Sequence, residues 1–595
     1  MSEHASKSPS RPRWSCIALL TAMMGFTAAC SGPEETRGES TPAAAIQPGP
    51  TLIVVNGDVR TVDPAQRGTT AFAVKDGKFL AVGTDKEIHA LATSETKIID
   101  AEGATVTPGL IDGHVHLSYG LRLILGIDLY GNANKQSWLD EIAAKANSLP
   151  EGKWILGGRW DHSLIGGEFP SKEDIDSVAP NHPVFLNDVD GHSGWANSKA
   201  LELAGITAET IAPEGGAVML DPETGEPSGI LLETAQNLVR ASQAYIDGTA
   251  LNDKERLGAL AQTIKIANSL GLTSVHEMAD VATFADYEAL LADDALSLRI
   301  WYGFSRFGDA SSAVDVYAKT RTEKLASVAA IEDPAARGPM LVPGYVKYWV
   351  DGVLSSHTAV MLEPYADRPE ERGLPTMTRE DAATQVIAAN AAGFPVAIHA
   401  IGDGAVRTSL DVFNHDGPKP ALPNRIEHIE VLHADDLNRF ADENVIASVN
   451  PHHAVTTFQN YLTDRIGVER EALAYPYGSL QNTGARVVLG SDWPTAPLEP
   501  FTQIWAATFR QSALGLGDSI WHPENALSFD QALYGYTQAG ADAAGWGDEL
   551  GSISQGKWAD FVILDGTINT PVRPQIKDMS VRATYIAGDN VFEKP

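Results

Sequence analysis

His114 and His116 stand one residue apart at the end of the run Pro108-Gly-Leu-Ile-Asp-Gly-His-Val-His116. On a β-strand the side-chain period is two, so both imidazoles point the same way. Two neutral imidazoles on one face are what a divalent ion such as Zn²⁺ takes as its first ligands. A lone His-x-His pair is common in ordinary strands, so its weight depends on what else converges there. Three further polar residues end apolar runs. His399 closes Pro395-Val-Ala-Ile, His428 closes Arg425-Ile-Glu, and Asp492 follows Arg486-Val-Val-Leu-Gly-Ser. If these residues meet, the chemistry is metal-assisted hydrolysis, with water as the nucleophile and a carboxylate to move its proton.

The elements that would bring them together are short strands alternating with helices. Strands are expected at Leu272–His276, Leu298–Tyr302, Tyr345–Trp349, Pro395–His399, Arg425–His428, Val445–Val449 and Arg486–Gly490, with helices such as Thr378–Ala392 and Asp403–Phe413 between them. Repeated β-then-α units imply a parallel sheet. With the strand that ends near His114 there are eight, the number that closes a (β/α)₈ TIM-type barrel. Catalytic groups then belong at the C-terminal strand ends, where these four histidines and Asp492 lie. The long stretch 118–270 exceeds one βα unit and requires an insertion, within a barrel spanning 107–548. Strands at Thr51–Asn56, Ala71–Lys75 and Phe79–Gly83, and at Ala559–Leu564 and Ser580–Ala587, read as one small β-sandwich built from both chain ends, 51–106 and 549–595. Lys75-Asp76-Gly77-Lys78 has the residues of a tight hairpin, and Gly588-Asp589-Asn590 those of a second turn.

Charge and cysteine content narrow the function. The 595-residue chain carries a formal charge of −33, which argues against nucleic acid or anionic lipid as a partner. A small-molecule substrate fits better. Its two cysteines are Cys16 and Cys30, both near the N-terminus, so the folded part offers no disulfide, thiolate site or cysteine nucleophile. Lys7, Arg11 and Arg13 precede the apolar run Ile17 to Phe26 and the small residues Thr27-Ala-Ala, the pattern of an export signal over 1–30. The junction resembles a bacterial lipobox with Cys30 as the lipidated residue of an exported lipoprotein; plain cleavage near Ala29 is the alternative. Any membrane association would be through that anchor. Residues 31–50 read as a disordered tether.

Pro108–His116, Ile398-His-Ala-Ile-Gly-Asp403, Arg425-Ile-Glu-His428 and Leu489-Gly-Ser-Asp-Trp-Pro494 together resemble the amidohydrolase superfamily, and within it the YtcJ-like branch that includes N-substituted formamide deformylases. Asp190–Leu201, Gly271–His276 and Val346-Lys347 extend the resemblance. It implies a barrel beside a small β-sandwich. It implies also that His114 and His116 hold one metal and His399 and His428 a second, with Asp492 as ligand and general base. Lys347 would be carboxylated and bridge the two metals, because an ammonium would be repelled by them. The alternative is a Lys347 paired with a carboxylate such as Asp351, and a single metal. His452 and His453, after the seventh strand, are expected to face the substrate, with His453 donating to the developing oxyanion. His276, His192 and Trp195 are expected near the substrate. His357 and Asn450 depart from the branch pattern, where Arg and Gln are usual. The reaction expected is cleavage of an amide, N-acyl or N-formyl C–N bond. Hydrolysis of a lactone, carbamate or cyclic urea, or a lipid-anchored regulatory protein with an inactive site, are the alternatives.

Overall fold

The computed structural model describes residues 49–595 except 133, 166–167, 190, 192, 214–215, 306–312, 356, 457–458, 514–519, 569–575 and 577–578. The export signal, Cys30 and nearly all of the 31–50 tether therefore lie outside the described residues, as does His192. Among the described residues no helix is long and apolar enough to cross a membrane.

Eight parallel strands form the centre: β1 (Leu110–Val115), β2 (Leu272–Asp280), β3 (Arg299–Ser305), β4 (Leu341–Trp349), β5 (Val396–Ala400), β6 (Arg425–His428), β7 (Ile446–Val449) and β8 (Val487–Leu489). Each pairs with the next in chain order. The sheet closes through a bridge between Val115 and Trp493, reinforced by the Asp492 N–H donating to the His114 carbonyl at 2.7 Å. The expected (β/α)₈ barrel is present. β4 is longer than its sequence expectation, because it runs through Pro343, which pairs at an irregular step opposite Tyr302. The helix expected at 378–392 spans Arg379–Ala391, with the Thr378 hydroxyl accepting from Asp381 N–H as its cap.

Alternation along each strand separates two environments. In β4, Val346 and Tyr348 pack into the large cluster beneath the helices. Tyr345 and Lys347 point into the barrel, where Tyr345 meets Trp301 at 4.4 Å between rings. The stretch after β1 holds a six-stranded sheet that runs from Gly216–Leu220 through Pro227–Glu233, Ser193–Ala196, Phe185–Asp188 and Gly157–Trp160 to Ile127–Asp128. It has its own core around Trp138, Trp160 and Trp195.

Both chain ends meet in two further sheets. One is built from Leu52–Val55, Ala71–Lys75, Lys78–Gly83 and Lys97–Asp100; the other joins Thr105–Pro108 to Phe561–Leu564, Val581–Ile586 and Asp589–Glu593. One core unites them, with Phe72 and Phe79 against Phe561 and Tyr585. Asp76 (φ 52°) and Gly77 (φ 73°) make the tight hairpin expected of an Asp-Gly pair. The C-terminal reversal falls one residue earlier than expected, on Ala587 (φ 47°) and Gly588 (φ 79°), since Asp589 and Asn590 already pair with Ile586 and Tyr585.

Candidate metal centre

Asp492 is the meeting point. Its Oδ1 lies 3.2 Å from both His114 Nε2 and His116 Nε2, and its Oδ2 lies 3.6 Å from His453 Nε2. His114, His116 and Asp492 form one group able to share a metal ion, and His428, His453 and Asp492 a second. The rings of His114 and His428 are 4.8 Å apart, and those of His428 and His399 4.5 Å. Lys347 lines the same cavity, of about 230 Å³, with Trp349, Leu354, Ile401, Leu462 and Tyr475 as its apolar walls. All six residues expected to hold metal are brought to one barrel mouth.

The ring nitrogens are sorted by their partners. His114 Nδ1–H donates to Glu427 Oε2 at 2.7 Å, His116 Nδ1–H to the Met278 carbonyl at 2.8 Å, and His428 Nδ1–H to Asn450 Oδ1 at 2.8 Å. His399 is turned the other way, its Nε2–H donating to the Gly352 carbonyl at 3.1 Å. One nitrogen of each ring is thus committed to a fixed acceptor, which sets the tautomer and leaves the other lone pair to the site. Among the described residues the buried Nε2 of His114 has no hydrogen-bond partner. A free imidazole lone pair beside a carboxylate and a second imidazole fits a divalent ion.

Electrostatics agree with the geometry. Burial, then the Lys347 charge, keeps His114 neutral, and burial pushes His399 down to about 3. Burial works against ionisation of Asp492, so its charge needs a cation at the site, which an ion held by this carboxylate and the Nε2 lone pairs of His114, His116 and His428 would supply. Beneath His114, Arg425 donates from Nη2 to Glu427 at 2.9 Å, to Ser448 Oγ at 2.8 Å and to the Gly113 carbonyl. Burial opposes the Glu427 charge, but Arg425 and His114 overcome it.

Lys347 does not pair with Asp351. Asp351 accepts backbone N–H groups from Val360, Ile401 and Gly402, while Lys347 Nζ has Met278 Sδ at 3.2 Å as its hydrogen-bond partner. Burial brings this amine down to about 8.

Four residues expected near the substrate are placed differently from the metal set. His276 is fully buried inside the barrel, accepting from Arg425 Nη1 at 2.8 Å on Nδ1, and so belongs to the support beneath His114. Trp195 is a core residue of the insertion, its indole N–H donating to the Ser171 carbonyl. Strand alternation turned it inward, away from the cavity. His452 is buried against Tyr130, with 3.0 Å between Nε2 and the phenol oxygen. His192 lies outside the described residues; Asn187, Asp188 and Gly191 line a second cavity of about 670 Å³, and Thr495 lines both cavities. Sequence reasoning missed Glu427, Arg425, Glu430 and Tyr475. Glu427 and Arg425 had a usable signal: two charged residues at alternate positions of a buried strand must face inward together.

Residues 97–592 match the amidohydrolase family. The chain is 33% identical to the protein LONG AFTER FAR-RED 3 of Arabidopsis thaliana, over 91% of each chain. It is 28% identical to the N-substituted formamide deformylase of Arthrobacter pascens, over 91% of this chain and 98% of that one. Among solved structures, a metal-dependent hydrolase from Pyrococcus horikoshii OT3 superposes with a TM-score of 0.67 at 25% identity, covering 86% of this chain and 97% of the other.

Proposed function

This chain belongs to the amidohydrolase family and is a metal-dependent hydrolase, and from that premise we propose that it cleaves the C–N bond of a small amide, of the N-acyl or N-formyl kind, with Zn²⁺ as its metal. The observation that carries the reading is the convergence of His114 Nε2 and His116 Nε2 on Asp492 Oδ1, each at 3.2 Å. His114, His116, His399, His428 and Asp492 would hold one or two ions. Bound there, the metal supplies a more acidic water and a Lewis acid for the substrate carbonyl.

The chain's own residues do the rest. Asp492, facing His114, His116 and His453 at 3.2–3.6 Å, would accept the proton of the attacking water on a carboxylate oxygen and return it to the leaving nitrogen. His453 stands between Glu430 Oε1 at 3.5 Å and Asp492 Oδ2 at 3.6 Å. Burial opposes its protonation, but the two carboxylates outweigh burial, so Nε2–H serves as donor to the developing oxyanion. Neutral Lys347 adds through Nζ to the carbon of CO₂, losing one proton to water, and becomes a carbamate anion facing the cluster. Its support is a buried amine that, among the described residues, has Met278 Sδ and no carboxylate as its partner. Apolar walls from Trp349 to Tyr475 exclude competing water. We assign the protein to an exported pool, anchored through Cys30, on the pattern of its first thirty residues.

The test is a substrate screen on metal-loaded protein, with N-acyl and N-formyl compounds beside lactones, carbamates and cyclic ureas. Turnover of an amide that disappears on chelation and returns with Zn²⁺ is expected. Turnover confined to the oxygen esters would reject the C–N reading, and no turnover of any class by metal-replete protein would favour a regulatory role.

A further inference from the structure

We propose that Arg159 and Tyr130 of the insertion position Asp492 and His453. Stacked on each other, they hold the loop after β8 through Pro494 and the turn after β7 through His452. The proposal rests on the roles given above to Asp492 and His453, and adds what keeps the two at working distance.

Arg159 owes its direction to an irregular strand. Gly157–Trp160 pairs in parallel with Phe185–Asp188, with Gly158 opposite Asn187 and Trp160 opposite Asp188, so Arg159 is the extra residue of a bulge. A bulge bends its strand and re-aims the side chain it carries. The backbone of Arg159 is left-handed (φ 64°), following Gly157 (φ 113°) and Gly158 (φ 128°). Those two positions need glycine, because a Cβ would lie 2.0 Å from the Ile127 carbonyl oxygen and 2.1 Å from that of Asn187. Arginine in a left-handed conformation is strained, and such strain persists where the surroundings over-determine it. Here the contacts of a buried guanidinium do so. Nε donates to Asp128 Oδ1 at 2.9 Å, Nη2 to Asp128 Oδ2, and Nη1 to the Pro494 carbonyl at 2.8 Å. The guanidinium carbon lies 4.5 Å from the centre of the Tyr130 ring.

Both side chains end beside the site. Pro494 is two residues beyond Asp492, and the Tyr130 phenol oxygen lies 3.0 Å from Nε2 of His452, the neighbour of His453. A second tie joins the same two loops. Gln503, in the helix Pro500–Phe509, accepts the His452 N–H on Oε1 at 3.0 Å and donates from Nε2 to the Pro497 carbonyl at 2.9 Å. The loops are thus clamped by a barrel helix and by the insertion. Within that clamp Asp492 Oδ2 stands 3.6 Å from His453 Nε2. Neither Arg159 nor Tyr130 lines the cavity of the metal set, so their reach to it runs through the loops. Arg159 does line the larger cavity, which gives it a rival role as a substrate contact. The two roles differ in kinetics. Misplacing reacting groups by about 1 Å costs about 100-fold in rate, whereas losing a binding contact raises KM.

The experiment uses two variants of the full chain. Arg159→Gly removes the clamp while relieving the left-handed strain, and Tyr130→Phe keeps the ring but not its hydrogen bond. Backbone hydrogen exchange of metal-free protein, read by mass spectrometry, should rise at least about fivefold in peptides covering 450–456 and 491–498, the worth of one hydrogen bond. The urea midpoint should move little. Loaded with Co²⁺, both variants should show a shifted visible absorption band, because Asp492 has moved. Loaded with Zn²⁺ and given N-formyl and N-acetyl alkylamines, Arg159→Gly should lose about 100-fold in kcat with KM little changed. Unaltered exchange in both loop peptides overturns the proposal. So does a rise confined to the insertion with a lowered urea midpoint, the mark of a merely structural arginine. A raised KM at constant kcat also overturns it, and makes Arg159 a substrate contact. If wild type binds no Co²⁺ or cleaves no amide, the hydrolase reading fails on its own, while the exchange comparison still decides the clamp.

Discussion

His114, His116, His399 and His428 each commit one ring nitrogen to the protein, but to acceptors of different strength. His116 and His399 donate to backbone carbonyls, and His428 to the Asn450 amide oxygen. Asn450 departs from the branch pattern, and the shorter side chain still reaches the ring. Only His114 donates to a carboxylate, which makes its Nε2 the most electron-rich of the four. That carboxylate is tolerable in the barrel because Arg425 neutralises it, and Arg425 in turn fixes His276. Lys347 is the one member of the cluster whose present charge opposes a metal. As an ammonium it would repel a divalent ion; as a carbamate it would bind one. Lys347→Ala should therefore lose bound metal and turnover, with at least about a 100-fold fall in metal affinity, the upper end of what an outer partner's loss costs. Lys347→Arg separates the two chemistries, because it keeps the positive charge and cannot be carboxylated. We expect it to fail as Lys347→Ala does. Elemental analysis showing a full metal complement in Lys347→Arg, with near-normal rates, would leave the ammonium form as the working one.

Strand ends decide what those side chains can reach. His428 (φ 73°) and Asp492 (φ 59°) both sit in left-handed backbone, where a non-glycine residue is uncommon. Simple alternation would turn His428 away from the interior that Arg425 and Glu427 face; the left-handed turn brings it back to the cavity. Between β8 and Asp492, Gly490 packs directly on β1: a Cβ there would lie 2.4 Å from His114 N and 2.7 Å from His114 Cβ. Backbone cannot yield as a flexible side chain does. Gly490→Ala should force β8 away from β1, costing about 1–3 kcal/mol as overpacking does, and should cut metal affinity more than its stability loss implies, since the moved residue is the proposed ligand His114. Calorimetric metal titration beside a urea melt would check it; unaltered affinity would mean that the strands separate elsewhere. Eight strands, the His-x-His pair and the strand-end residues were legible because period-two patterns and apolar runs are local. Glu430 and Tyr475 were not, because their approach to the site depends on a left-handed turn and a loop pairing that no local pattern marks. Trp195 misled for the converse reason: its motif is local, but the core it fills is made by Trp138 and Trp160 far along the chain.

At the scale of the molecule, the barrel separates function from stability by its two ends. The residues proposed to hold metal occupy the C-terminal strand ends, whereas Arg299 begins β3 at the opposite end and meets Asp560 of the terminal β-layer. The pair is bidentate, Nε to Oδ2 at 2.7 Å and Nη2 to Oδ1 at 2.9 Å, with side chains 0% and 5% exposed. Asp560 also accepts the Ala587 N–H at 2.8 Å, so one carboxylate joins a barrel strand to two parts of the C-terminal segment. Burying two charges gains little by itself, but removing one partner strands the other in a dry site. Asp560→Ala should thus destabilise the protein by about 3–5 kcal/mol. The double change Arg299→Met with Asp560→Leu should recover most of it, because no uncompensated charge remains. Metal content and kcat/KM of the folded protein should stay at wild-type values in both variants, as the site lies at the other mouth of the barrel. Urea melts followed by tryptophan fluorescence, with metal analysis at each step, would measure both quantities. A neutral Asp560→Ala would show that the terminal layer is held by its apolar core alone, and a loss of metal in parallel with stability would show that the two ends of the barrel are coupled.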